Sequence, residues 1–285
     1  MATKELMLRD GKRAYYDSNL SLALSSAESY VTVNKGKGHV QTMPELLQRR
    51  AEAESLDSPY WQHWFTADSG DFIGQHKRKD VAIIAHGASK LLTPDRINQA
   101  YKEGLVNGAA RLTDDEIQKL LSGKLMPVYS LDDVKKGSIK RIHYAVVMDL
   151  ETARKSQSGY QTLNDLETNP TYLSRAGSSA KEFLTALESK FEKSKYGNHH
   201  RFDVKPESQG RFVFLGSSDG DGLSGCSILN GNGHFAGVRS DGVRSTPKNS
   251  RNNVPTYTQV LRMVKPLVPQ INQKDLEQRL KPLFK

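Results

Sequence analysis

The stretch Arg211–Val243, RFVFLGSSDGDGLSGCSILNGNGHFAGVRSDGV, runs from a short apolar segment (Phe212 to Leu215) straight into a loop holding eight glycines. Asp219, Asp221, Ser224, Cys226 and His234 stand among those glycines. Glycine loses more conformational freedom on folding than any other residue, so this density implies tight turns or close backbone approach to something. Two further apolar runs share the pattern of ending in polar residues. Val81–Ala85 (VAIIA) stops at His86-Gly87, and IHYAVVMDL (142–150) runs into Asp149 and Glu151. A continuous apolar run of this length predicts a strand buried on both faces.

Between these strands lie helix signals. Thr42/Glu45, Thr113/Glu116 and Ser179/Glu182 each have capping-box spacing, and Thr93-Pro94 opens another helix. Strands alternating with capped helices predict an α/β (or α+β) fold, with a central mixed, partly parallel sheet flanked by amphipathic helices. Residues 1–79 are expected to form an N-terminal extension or small subdomain and 80–285 the main domain, or the two together a single domain. Tyr30 to Val33 is predicted as a short strand, Asp68 to Lys79 as a polar connection, and 257–264 and 274–283 as amphipathic segments. Tyr60, Trp61, Trp64 and Phe65 crowd four aromatics into six residues and are expected to plug the core, the alternative being a stacking platform for a base or sugar ring.

Hydrophobic residues at 36% and charged residues at 26% describe a globular chain rather than a disordered one. No apolar run reaches the roughly 18 residues that a membrane-spanning helix needs, so no membrane partner is expected. The single cysteine suits a reducing compartment, and a cytoplasmic location is expected. The net charge of +9 is uneven: six basic residues between 239 and 265, including Arg244 and Arg251, face Asp241 alone. That segment is a candidate surface for an anionic partner, nucleic acid included. Oligomeric state is not legible.

In a parallel sheet the strand C-terminal ends share one edge, where ligands bind. If the three apolar strands are neighbours of this kind, His86, Asp149, Glu151, Asp219, Asp221 and Ser224 converge. The leading expectation is therefore a hydrolase with Ser224 as nucleophile, His86 as base and Asp149 orienting the histidine, with Gly216, Asp219, Asp221, Gly222, Arg244 and Arg251 binding a small-molecule or anionic substrate. Gly222-Leu-Ser224-Gly-Cys-Ser-Ile-Leu resembles the nucleophile loop of trypsin-like proteases, which implies a serine facing an oxyanion hole. The helices predicted at 94–106 and 113–122 have no place in that family's two-barrel core. An alternative follows from Ala145-Val-Val-Met-Asp149-Leu-Glu151, which is similar to the first motif of DEDD-type exonucleases. That resemblance implies a divalent-metal phosphodiesterase using Asp149, Glu151 and Asp203. Apart from that metal no cofactor is predicted. The third expectation is a non-catalytic binder of an anionic partner through 239–265.

Overall fold

The computed structural model describes residues 3–8, 12–32, 38–217, 222–226, 229 and 231–239. The chain divides after Val243, and the elements described belong to the Met1–Val243 unit. The segments 257–264 and 274–283, with Arg244 and Arg251, lie outside the described residues, as do Asp219 and Asp221.

Two sheets organise this unit. The smaller is antiparallel, in the order β1 (Lys4–Met7), β2 (Arg13–Asp17), β13 (Gly233–Arg239), β3 (Gly38–Val40). The larger runs β7 (Val128–Ser130), β8 (Tyr144–Asp149), β5 (Lys79–His86), β4 (Phe65–His76), β11 (Gln209–Leu215), β12 (Leu223–Ser224), β10 (Lys195–His199), β9 (Gly159–Thr162), with β6 (Ala110–Arg111) also on β11. It is a mixed sheet. β7 lies parallel to β8 and β10 to β12, and the other pairs are antiparallel. Helices and a mixed sheet together make the α/β or α+β class read from the sequence.

The apolar strands form for the reason their composition suggests. Val81, Ile83 and Ala85 of β5 pack with Ile97 and Ala100 of α4 (Pro94–Glu103) and with Ile117 and Leu120 of α5 (Asp114–Leu121). Ala82 and Ile84, on the other face, pack with Met148, Leu150 and Phe202. Both faces of β5 are dry, so the run needs no polar alternation. The capping signals at Thr42 and Thr113 are realised, with Thr42 N donating to Glu45 Oε2 at 2.9 Å and Thr113 N to Glu116 Oε2 at 2.8 Å. They start α2 (Met43–Glu52) and α5.

Three local expectations fail. Tyr30 to Thr32 end a helix, α1 (Leu20–Thr32), which buries Leu20, Ala23, Leu24 and Ala27 with Phe235 of β13. Ser179 makes no cap bond, because a short 3-10 turn (Gly177–Ser179) leads directly into α10 (Ala180–Ser189). The largest miss is Asp68 to Lys79. Most of it is β4, paired on one side with β5 and on the other with β11.

The aromatic cluster does pack into the core. Trp61, in the one-turn helix α3 (Pro59–Gln62), is fully buried against Phe183 of α10 and Phe191, and donates its indole N–H to Arg50 O at 3.1 Å. The Arg50 guanidinium lies 4.7 Å from the Trp61 ring. Trp64 is only partly buried, and that exception leads to the site.

Candidate ligand-binding cleft

A cleft of about 260 Å³ opens where β9, β10, β12 and β11 lie side by side. His199, Ser224 and Phe214 are in-register partners across β10, β12 and β11, so their side chains share a face. Tyr160 of β9 stands edge-on to His199, with ring centroids 5.5 Å apart. Trp64, just ahead of β4, closes the opposite wall at 5.8 Å from Phe214. Gly216 and Gly222 complete the floor, joined by a backbone bond from Gly216 N to Gly222 O at 2.8 Å. Tyr160 is 57% exposed, a high value for so large a ring.

The platform beneath these rings is held by buried polar contacts. Arg175, at the end of α9 (Pro170–Ala176), is fully buried and grips both carboxylate oxygens of Asp71 on β4. Its remaining nitrogen donates to Asn198 Oδ1 at 2.7 Å and to the His199 carbonyl at 2.9 Å. Asn198 in turn donates to Thr171 Oγ1 at 2.9 Å, and Asn169 accepts from the Thr171 and Tyr172 amides. Charge-assisted bonds of this kind are short and directional, so they fix the strand that presents His199. Gly225, next to Ser224, explains one glycine of the rich loop. A Cβ there would overlap Asp71 Oδ2 and Arg175 Nη2, so only glycine lets the chain pass over the ion pair. Arg50 plays a matching part on the other rim, where its guanidinium donates to the carbonyls of Gly216 and His63.

No carboxylate, lysine or arginine side chain lines the cleft among the described residues. Burial first, then the Arg175 guanidinium, holds the His199 imidazole below its usual value, so the ring is neutral near pH 7. The cleft can stack flat apolar groups and offer a few hydroxyl, imidazole and carbonyl hydrogen bonds.

The structure does not assemble a Ser224–His86–Asp149 triad. β5 and β8 are antiparallel, so the two strand ends face opposite edges of the sheet. His86 pairs with Tyr144 while Asp149 pairs with Val81, five residues away along β5, or about 17 Å. From His86 to Ser224 the path crosses β4 and β11, roughly 14 Å at the usual strand spacing. His86 is fully buried, with Nδ1 on Ser69 Oγ at 2.8 Å and Nε2 on the Ser174 carbonyl at 3.0 Å. Ser224 Oγ accepts from the Cys226 amide at 3.3 Å. The metal alternative also lacks its geometry. β8 ends at Asp149, and Glu151 already belongs to the helix α7 (Leu150–Lys155), where it pairs with Arg154 at 2.7 Å. Asp149, Glu151 and Asp203 are exposed, and among the described residues no group of three or more His, Cys, Asp or Glu could hold a metal ion. Of the residues singled out in the sequence, Gly216, Gly222 and Ser224 meet in one cleft. Of the aromatic walls, Trp64 belongs to the segment whose alternative reading is a stacking platform, whereas Tyr160, His199 and Phe214 carry no such signal in the sequence.

No protein-family model matches the chain, and no curated protein does. Among solved structures it is similar to a Nanoarchaeota protein described as showing how the C-type lectin fold accommodates massive sequence variation, at 24% identity and a TM-score of 0.64, over 81% of this chain and 99% of that one. The likeness is to the C-type lectin fold. At this identity the match carries the fold alone, but it decides against the expected serine hydrolase. The separated positions of His86, Asp149 and Ser224 agree with that correction. Among the described residues, no helix is long and apolar enough to cross a membrane.

Proposed function

We propose that the chain is a non-catalytic binding module that takes an uncharged, flat-faced group into the cleft of Trp64, Tyr160, His199 and Phe214. The observation that carries this reading is the set of four aromatic walls on a strand platform braced by the Asp71–Arg175–Asn198 network. At about 260 Å³ the cleft lies just below the usual range for whole small-molecule sites, roughly 300–1,000 Å³. It suits one ring of a larger ligand. The uncharged lining argues against an anionic group at this position.

The similar Nanoarchaeota structure is described in terms of sequence variation, and we extend that property to this rim. Tyr160 is largely exposed and Trp64, His199 and Ser224 are half-buried, while the residues that hold the platform lie beneath them. Exchanging the rim residues changes what is bound and leaves the support in place.

The two tryptophans provide the test. Trp61 is buried and Trp64 lines the cleft, so an occupant quenches Trp64 emission selectively. A panel of neutral glycans and aromatic peptides titrated by fluorescence is expected to yield ligands whose Kd rises tenfold or more in Tyr160→Ala. Ligands that bind Tyr160→Ala and Trp64→Phe as tightly as the unaltered chain place the binding surface elsewhere and end this reading.

A further inference from the structure

A second, far smaller cavity adjoins Gly225. It measures about 10 Å³, room for one water-sized occupant, and Asp71, Arg201, Gln209 and Arg211 contribute to its wall. Arg211 is only 3% exposed, on the central strand β11. One of its terminal nitrogens, Nη2, donates to Gln209 Oε1 at 3.1 Å. The other, Nη1, is buried and has no hydrogen-bond partner among the described residues. A buried guanidinium with a free donor is costly, because each unmatched buried donor forfeits its hydration.

The surrounding charge identifies the missing acceptor. Asp71 is the carboxylate on the cavity wall, but Arg175 already engages both of its oxygens. Arg201 reaches the cavity from an exposed position with no ion pair of its own among the described residues, and adds a second positive charge. Burial holds Arg211 below the usual arginine value; Asp71 opposes that shift and Arg201 reinforces it. Asp203, exposed nearby, offsets part of the excess. A water molecule can accept from Nη1 but leaves the charge uncompensated. An anion does both, its own desolvation being set against its attraction to the Arg211 and Arg201 guanidinium charges. Carboxylate, phosphate and sulfate are too large for a space of this size.

We propose that this cavity binds a single monatomic anion of the halide class, held by Arg211 Nη1 and favoured by the field of Arg201. Its seat beside Gly225 puts it next to the strand that carries Ser224 into the cleft.

Bromide serves as the probe. Crystals of the full chain soaked in sodium bromide are expected to show one anomalous peak within hydrogen-bond reach of Arg211 Nη1. In solution, the Tm of the full chain is expected to rise by roughly 2–4 °C when sodium gluconate, too bulky for the cavity, is replaced by saturating sodium chloride or bromide at matched ionic strength. The rise should vanish in Arg211→Met, and in Arg201→Gln it should require several-fold more halide. If Arg211→Met does not fold, Arg201→Gln and the bromide map decide. A cavity holding water alone in bromide-soaked crystals overturns the proposal, as does an equal Tm in halide and gluconate.

Discussion

β4 and β5 are neighbours in register at the centre of the large sheet, and both are almost wholly buried, yet they are opposites in composition. β5 reads Val-Ala-Ile-Ile-Ala and is held by packing on two dry faces. β4 pairs its residues 70–74 with that run, but its first half reads Thr-Ala-Asp-Ser-Gly-Asp (66–71), and each polar side chain there ties the strand to a different element. Thr66 Oγ1 accepts from the His234 amide on β13 at 3.2 Å. Asp68 accepts from the Ser89 amide at 2.7 Å and its hydroxyl at 3.0 Å. Ser69 Oγ accepts from Met43 N at the start of α2 at 2.8 Å, and Asp71 binds Arg175 of α9. Buried polar groups are tolerated because they are satisfied, and here the satisfaction is directional. The apolar strand supplies burial, while the polar strand specifies which elements meet.

The comparison breaks most sharply at Asp71. Asp71→Ala leaves Arg175 buried without its counter-charge and is expected to cost about 3–5 kcal/mol in urea unfolding. Asp71→Ala combined with Arg175→Met should recover much of that loss. A double variant no better than Asp71→Ala alone would show that the ion pair is not the tether.

The next effect depends on pH and rests on His86, where β5 meets Ser69. Nε2–H donates to the Ser174 carbonyl, so Nδ1 accepts from Ser69 Oγ and the neutral ring is already matched. Burial pushes its pKa down to about 4. The unfolded chain therefore binds a proton below about pH 6.5 that the folded chain refuses, so this contribution is present above 6.5 and is lost as pH falls towards 4. It amounts to at most about 3 kcal/mol. Asp68, raised by burial to about 6, acts in the opposite sense, its contribution declining as pH rises through that value. His86→Gln is expected to flatten the acid limb of a stability–pH profile between 6.5 and 4. An unchanged limb would assign it to other groups, with His143 and His234, both lowered to about 4 chiefly by burial, the first to test.

A smaller effect probes the apolar strand. Ile83→Val removes one buried methylene from β5 and is expected to cost about 1 kcal/mol. Changes on β4 at positions of equal burial should cost more, and similar losses at both would mean that packing alone holds the pair. The smallest effect belongs to the cleft rim. Tyr160→Ala alters a mostly exposed ring and should shift stability by less than about 0.5 kcal/mol while weakening the ligand. A large stability loss there would make the ring structural rather than part of a binding surface.

Legibility in the sequence followed the same division. β5, β8 and β11 could be read because their apolar character is continuous, and α2, α4 and α5 because their start signals lie within a few residues of the helices they begin. β4 was read as a connection because its polar residues look solvated until their partners are known. The glycine-rich stretch was read as a nucleophile loop because Ser224 stands among glycines. The structure explains Gly225 instead by the passage of the chain over Asp71 and Arg175. Of the cleft, Gly216, Gly222 and Ser224 lay within the stretch that drew attention, whereas Tyr160, His199 and Trp64 come from distant segments.

The amino-acid sequence by itself determined the fold class, the buried apolar strands and the principal helix starts, since periodicity and capping act over a few neighbouring residues. Only the tertiary structure decided that the Thr66–Asp71 run is core, that β5 and β8 oppose each other, and that aromatic rings gather beside Ser224. The physical reason is separation along the chain. Asp71 and Arg175 stand 104 residues apart, and no local pattern of charge or hydropathy encodes which distant partner will satisfy a buried polar group.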